Sequence, residues 1–189
     1  MEIKKTAFVA LALLVASSQV SAAFLPVCHR TKSVRDFIEQ SLSKTCDTIV
    51  AEDLLSIKRI DVGGTNTREF KTDDFTGLTN LEILNIRSNP YTTLPEGLFT
   101  DLVNMNTLVI IATSLRYYPD DFLEHNPKMQ NLHSFRNKVR SISESVLQRL
   151  EKFDALVAVD FDAALQEPEK ARLLKAFPAG GRVTLDLIP

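Results

Sequence analysis

Two cysteines, three histidines and two pairs of adjacent aspartates are the residues of this 189-residue chain best suited to chemistry, and their spacing limits what that chemistry is. Cys28 and Cys46 enclose 17 residues. Two thiols, even with His29 beside one of them, do not complete a tetrahedral zinc site. An even pair in a chain bound for an oxidising compartment is expected to form a disulfide instead. The histidines, His29, His125 and His133, lie far apart, and no nucleophile elbow, HExxH pair, phosphate loop or dinucleotide fingerprint accompanies them. The carboxylate pairs Asp73-Asp74 and Asp120-Asp121 have two readings. They form either a stack of acidic side chains for calcium, or caps that accept free backbone N–H groups at the start of a turn. Capping is the favoured reading. Neither catalysis nor a cofactor is expected.

The export expectation rests on the first 22 residues. Lys4 and Lys5 make a basic start, residues 7–16 (AFVALALLVA) are uninterruptedly apolar, and Val20-Ser21-Ala22 places small residues at a cleavage point. This is the layout of a secretory signal peptide, and the run is too short to span a bilayer. A buried N-terminal helix is the weaker alternative. Cys28 follows Pro26-Val27, which fits poorly with bacterial lipid attachment. No later stretch is long and apolar enough for membrane insertion. The formal charge of −2 becomes −3 once the leader's net +1 is removed. With no basic run, nothing favours nucleic acid or an anionic membrane as partner.

The elements that hold these residues follow a period of 24. Stepping from Leu81 reaches Ile57 backwards and Met105, Met129 and Phe153 forwards. Apolar residues are expected at positions 1, 4, 6, 14, 19 and 22 of each unit. Across the four units starting at 57, 81, 105 and 129, 22 of these 24 slots are apolar. Composition alone would give about 11, so the repeat is real. The two failures are Asn126 and Ser134. Positions 4 and 6 alternate as a short strand does. Position 9, occupied by Thr65, Asn89, Thr113, Asn137 and Phe161, sits in a turn where a side-chain amide satisfies buried backbone groups. The segment 94–99 (LPEGLF) is too turn-rich for a full helix, so short 3₁₀ or α turns are expected there.

Residues 81–104, which read LxxLxIxxNxxxxLPxGLFxxLxx, resemble the leucine-rich repeat of exported proteins. The stretch from Cys28 through Val34, Cys46, Asp53-Leu54 and residues 74–78 (DFTGL) is similar to the cysteine-containing N-terminal cap of bacterial secreted members. The resemblance implies an α/β solenoid with a parallel concave sheet, short turns on the convex side and helical caps. It also implies a protein-binding role.

A solenoid exposes core at both ends and needs caps. Residues 31–44 carry Val34, Phe37, Ile38 and Leu42 on one helical face, bracketed by the two cysteines. At the other end, residues 167–177 read as a second helix with Pro168 in its first turn, and Val183, Leu185 and Leu187 alternate as a last strand. The expected organisation is therefore signal peptide 1–22, N-terminal cap 23–56, four repeats 57–152, and a degenerate repeat with C-terminal cap 153–189.

Strand positions 3, 5 and 7 should face the concave side. They are Arg59, Asp61 and Gly63; Ile83, Asn85 and Arg87; Thr107, Val109 and Ile111; Asn131, His133 and Phe135. The face passes from charged to apolar along the solenoid. Arg59, Asp61, Arg87, Val109, Ile111, His133 and Phe135 are the candidate contacts for a protein or glycan partner. Two alternatives compete: the C-terminal tail covers the apolar part, or a one-residue slip of the fourth strand turns His133 and Phe135 inward. A structural or self-assembling envelope protein is the second functional reading.

Overall fold

The computed structural model describes residues 26–152, the strands Leu156–Phe161 and Val183–Leu187, and the helical positions Pro168, Ala171, Arg172 and Lys175. The expected leader, residues 1–22, lies outside the described residues, as does most of the expected helix 167–177.

The chain begins with a 3₁₀ turn (Val27–His29) and two helices, α1 (Lys32–Leu42) and α2 (Ala51–Leu54). Helix α1 stops two residues short of the expected 44 because Ser43 turns left-handed at φ 52°. Its apolar face buries Val34 and Ile38, with Phe37 and Leu42 packed alongside. Cys28 and Cys46 are joined in a disulfide that closes this cap, with Cα atoms 4.9 Å apart. A buried polar link then docks the cap on the first repeat. The Arg30 guanidinium donates to the carbonyls of Asp74 (2.8 Å) and Thr76 (2.6 Å). The Asp74 carboxylate accepts the N–H groups of Thr31 (2.6 Å) and Lys71 (2.8 Å).

Six strands follow in one parallel sheet, in sequence order. They are β1 (Arg59–Asp61), β2 (Ile83–Asn85), β3 (Thr107–Val109), β4 (Asn131–Ser134), β5 (Leu156–Phe161) and β6 (Val183–Leu187). Arg59, Ile83, Thr107 and Asn131 are mutual register partners, so the 24-residue period is the strand register itself. The step to β5 breaks it. Asn131 pairs with Leu156 and His133 with Ala158, a spacing of 25. One residue has been added to the fourth turn of the solenoid, and Phe161 therefore ends a strand where equal stepping puts it in the position-9 turn. The convex returns are short turns in the first three repeats, and in the fourth a nine-residue helix, α3 (Glu144–Lys152).

All 22 apolar slots of the repeat are buried. So are the two polar ones, each with partners that make burial tolerable. Ser134 lies 2.5 Å from the Tyr118 hydroxyl and accepts from Asn137 Nδ2 at 3.0 Å. Asn126 donates to the carbonyls of Phe99 and Leu102, both at 2.9 Å. Two further columns are buried that the period did not single out. Position 11 holds Thr67, Tyr91, Leu115 and Val139, and position 18 holds Asp74, Leu98, Phe122 and Val146.

The turns after the strands show why position 9 is asparagine or threonine. Asn89 Nδ2 donates to the carbonyls of Val62 (2.9 Å), Ile86 (3.2 Å) and Arg87 (3.1 Å), while its Oδ1 accepts the Thr67 N–H at 2.9 Å. Asn137 does the same one pair of repeats later, donating to Ile110 (2.8 Å) and accepting from the Thr113 N–H (3.1 Å) and hydroxyl (2.7 Å). Beside them, position 8 is left-handed in all four repeats, at Gly64, Ser88, Ala112 and Arg136. Three of those residues carry a Cβ, and each resists that conformation by about 1–2 kcal/mol. Beside Ser88 and Arg136 the bonds of Asn89 and Asn137 offset that strain.

Candidate binding surface

The strand register decides which side chains share the concave face. Position 5 brings Asp61, Asn85, Val109 and His133 side by side. Position 7 is joined through the backbone: the N–H groups of Gly64, Ser88 and Ala112 donate to the carbonyls of Arg87, Ile111 and Phe135. Arg87, Ile111 and Phe135 therefore stand on three successive turns of the solenoid, with neighbouring strands about 4.8 Å apart.

The fourth strand is not slipped. Val109 pairs with His133, and Ser134 is fully buried, so His133 and Phe135 project to the concave side. Val109, Ile111, His133 and Phe135 are all half-buried, neither sealed in the core nor fully in water. The expected C-terminal helix falls largely outside the described residues. The described Arg172 reaches the Glu144 carboxylate (3.0 Å) and the Ile142 carbonyl, at the start of the convex helix α3.

The N-terminal part of the face is polar and internally paired. Arg59 reaches Asp61 at 3.4 Å, Asn85 Nδ2 donates to Asp61 at 3.1 Å, and the Gly63 N–H donates to it at 3.1 Å. Burial raises the Asp61 pKa, but these donors outweigh it and hold the carboxyl below its ordinary value. Asn85 stands in the same concave row, although it is not one of the candidate contacts. It is buried between Asp61 and the Arg87 N–H, so it orients Asp61 and offers little to a ligand. Arg87 is exposed, and its guanidinium has neither ion pair nor hydrogen bond among the described residues.

The remaining chemistry-bearing residues stay apart. His29 and His125 are exposed on the cap and the convex side, and His133 is on the sheet. The aspartate pairs do not occupy equivalent places. Asp73 and Asp121 share position 17, two repeats apart, and Gly97 stands between them. Asp121 accepts the Gly97 N–H at 2.6 Å and Asp101 accepts that of Gly77 at 2.8 Å, each across one repeat. These carboxylates stitch the convex turns together by accepting backbone N–H groups. Among the described residues, no three His, Cys, Asp or Glu side chains are grouped to hold a metal ion, and no helix is long and apolar enough to cross a membrane.

A parallel sheet with a 24-residue register, an asparagine turn ladder and a disulfide-closed cap together define a leucine-rich-repeat solenoid. Two solved structures share this architecture. A leucine-rich-repeat protein of Leptospira interrogans matches with a TM-score of 0.57 and 21% identity over 74% of this chain. An internalin of Listeria monocytogenes matches with a TM-score of 0.57 and 20% identity over 76% of this chain. The chain spans 34% and 40% of those two proteins respectively. No protein-family model matches the sequence, and no curated protein does.

Proposed function

We propose that this chain is an exported recognition protein that binds a protein or glycan partner through its concave sheet. The observation that carries this reading is the half-buried apolar group Val109, Ile111 and Phe135, with His133 beside it, on a face where strand geometry supplies no packing reason for such residues. Large side chains of this kind, rimmed by polar groups, are where interaction energy concentrates. Export is supported by the signal-peptide layout of residues 1–22 and by the disulfide at the cap, a bond that persists in oxidising compartments.

The test uses the mature chain as bait against envelope and culture-medium fractions, with Phe135→Ala beside it. The reading expects a partner retained by the parent and lost by the variant, at nearly equal thermal midpoints. Equal retention by both would overturn it. A self-assembling envelope protein would instead retain copies of itself.

A further inference from the structure

Among the described residues, Arg87 is a concave-face cation that makes no ion pair or hydrogen bond, and it stands at the border of the apolar group. Arg87 is exposed and unpaired among the described residues, whereas the neighbouring Arg59 is engaged by Asp61. The Asp61 carboxylate stands near the Arg87 stem over Gly63, but the donors it bonds are Arg59, Asn85 and the Gly63 N–H, and the Arg87 guanidinium is not among them. The Arg87 side chain lies across Gly63, one turn earlier in the same row. A Cβ added there would stand 2.9 Å from Arg87 Cγ and 3.2 Å from its Nε. The glycine thus leaves room for the arginine stem to lie along the sheet. On its other side the row continues into Ile111 and Phe135.

We infer that this row is built for an acidic-apolar polypeptide: an extended segment whose Asp or Glu carboxylate meets Arg87 while an apolar side chain close to it in sequence rests on Ile111 and Phe135. This rests on the concave-face reading above and names the partner's chemistry. The geometry sets the spacing. Adjacent strands are about 4.8 Å apart and the guanidinium end of Arg87 lies back over Gly63, so the cation is about 10–14 Å from the apolar floor of Ile111 and Phe135. In an extended segment, residues i and i+4 lie on the same side about 13.6 Å apart, within that interval. A guanidinium matches a carboxylate with two parallel N–H donors, and it stays charged at any working pH. Arginine beside an aromatic anchor is also a recurrent composition of strong contact sites.

The experiment uses the mature chain and a fluorescent peptide, acetyl-Ser-Asp-Ser-Ser-Leu-Phe-Ser-amide, read by anisotropy. One control peptide replaces Asp by Lys, and another replaces Leu-Phe by Ser-Ser. The parent protein should bind the acidic peptide at least about threefold more tightly than the lysine peptide, the scale expected of a partly exposed ion pair. Arg87→Ala should abolish that preference, and Gly63→Ala, which displaces the arginine, should reduce it. Both variants should keep the parental thermal midpoint.

Binding without charge preference, still weakened by Phe135→Ala, would overturn this inference and leave the concave-face reading standing. Tighter binding of an acidic oligosaccharide such as oligogalacturonate would overturn the assignment to a polypeptide. Binding of the acidic peptide that ignores Arg87→Ala and Phe135→Ala alike would contradict both readings.

Discussion

Asn89 and Val62 are tied by a 2.9 Å hydrogen bond that crosses from the second repeat to the first, the amide donating to the carbonyl just after β1 that the Thr65 hydroxyl also reaches. The same amide accepts the Thr67 N–H, so one side chain satisfies buried backbone on both sides of the joint. Replacing it by alanine takes the Thr67 N–H's acceptor and one donor from the Val62 carbonyl, at a cost of about 1–3 kcal/mol. In urea, Asn89→Ala should therefore unfold well before Lys138→Ala, whose side chain is exposed. Coincident midpoints would contradict the ladder.

Ser134 and Tyr118 form the corresponding polar contact inside the core, 2.5 Å apart. Ser134→Ala and Tyr118→Phe should each destabilise by about 1 kcal/mol or more, since each leaves the other hydroxyl without this partner. The double variant should lose less than the sum, because both halves of the pair are then gone. Strict additivity in a thermal-unfolding cycle would show that the hydroxyls do not interact.

The cap disulfide should contribute about 3 kcal/mol, the scale expected for a closed loop of this length. Reduction under mild conditions should lower the unfolding midpoint and expose the helix α1 region first to amide exchange. Unchanged protection of Val34 and Ile38 after reduction would mean that the Arg30–Asp74 docking alone holds the cap.

Asp74 supplies a pH signature. Its carboxyl is fully buried, and burial pushes its pKa above the ordinary 3.8. Between 3.8 and the higher folded value the native chain binds more protons than the unfolded one. This group's contribution is therefore complete below that window and is lost as pH rises through the folded value. The stability difference between the parent and Asp74→Asn should shift against the parent on going from about pH 4 to about pH 7. A difference independent of pH would show that Asp74 is not desolvated.

Much of the fold was legible because one short period governs both sequence and register. Ile60, Leu84, Leu108 and Leu132 are 24 apart in the chain and adjacent in the sheet. What stayed hidden was hidden by residue type. Position 11 is Thr67, Tyr91, Leu115 and Val139, a column whose burial is common but whose chemistry is not. Position 18 begins with Asp74, whose burial depends on docking with the cap helix some 40 residues earlier. Ser134 and Asn126 looked like failures of the pattern because polar residues enter a core only with partners, and Tyr118, Phe99 and Leu102 supply these from other repeats. The extra residue before β5 leaves the apolar alternation intact, so only strand pairing exposes it. On the concave face the rows were readable, but the engagement of Asn85 with Asp61 and the resting of Arg87 on Gly63 are contacts between repeats that no spacing displays.

The most direct test of a binding concave face is the affinity of the captured partner for the mature parent and for Phe135→Ala, measured beside their thermal midpoints. The account predicts an affinity loss of about fivefold or more, the scale of a hot-spot truncation above about 1 kcal/mol, with the midpoint lowered by only a few degrees. Unchanged affinity in a variant that folds normally would contradict it.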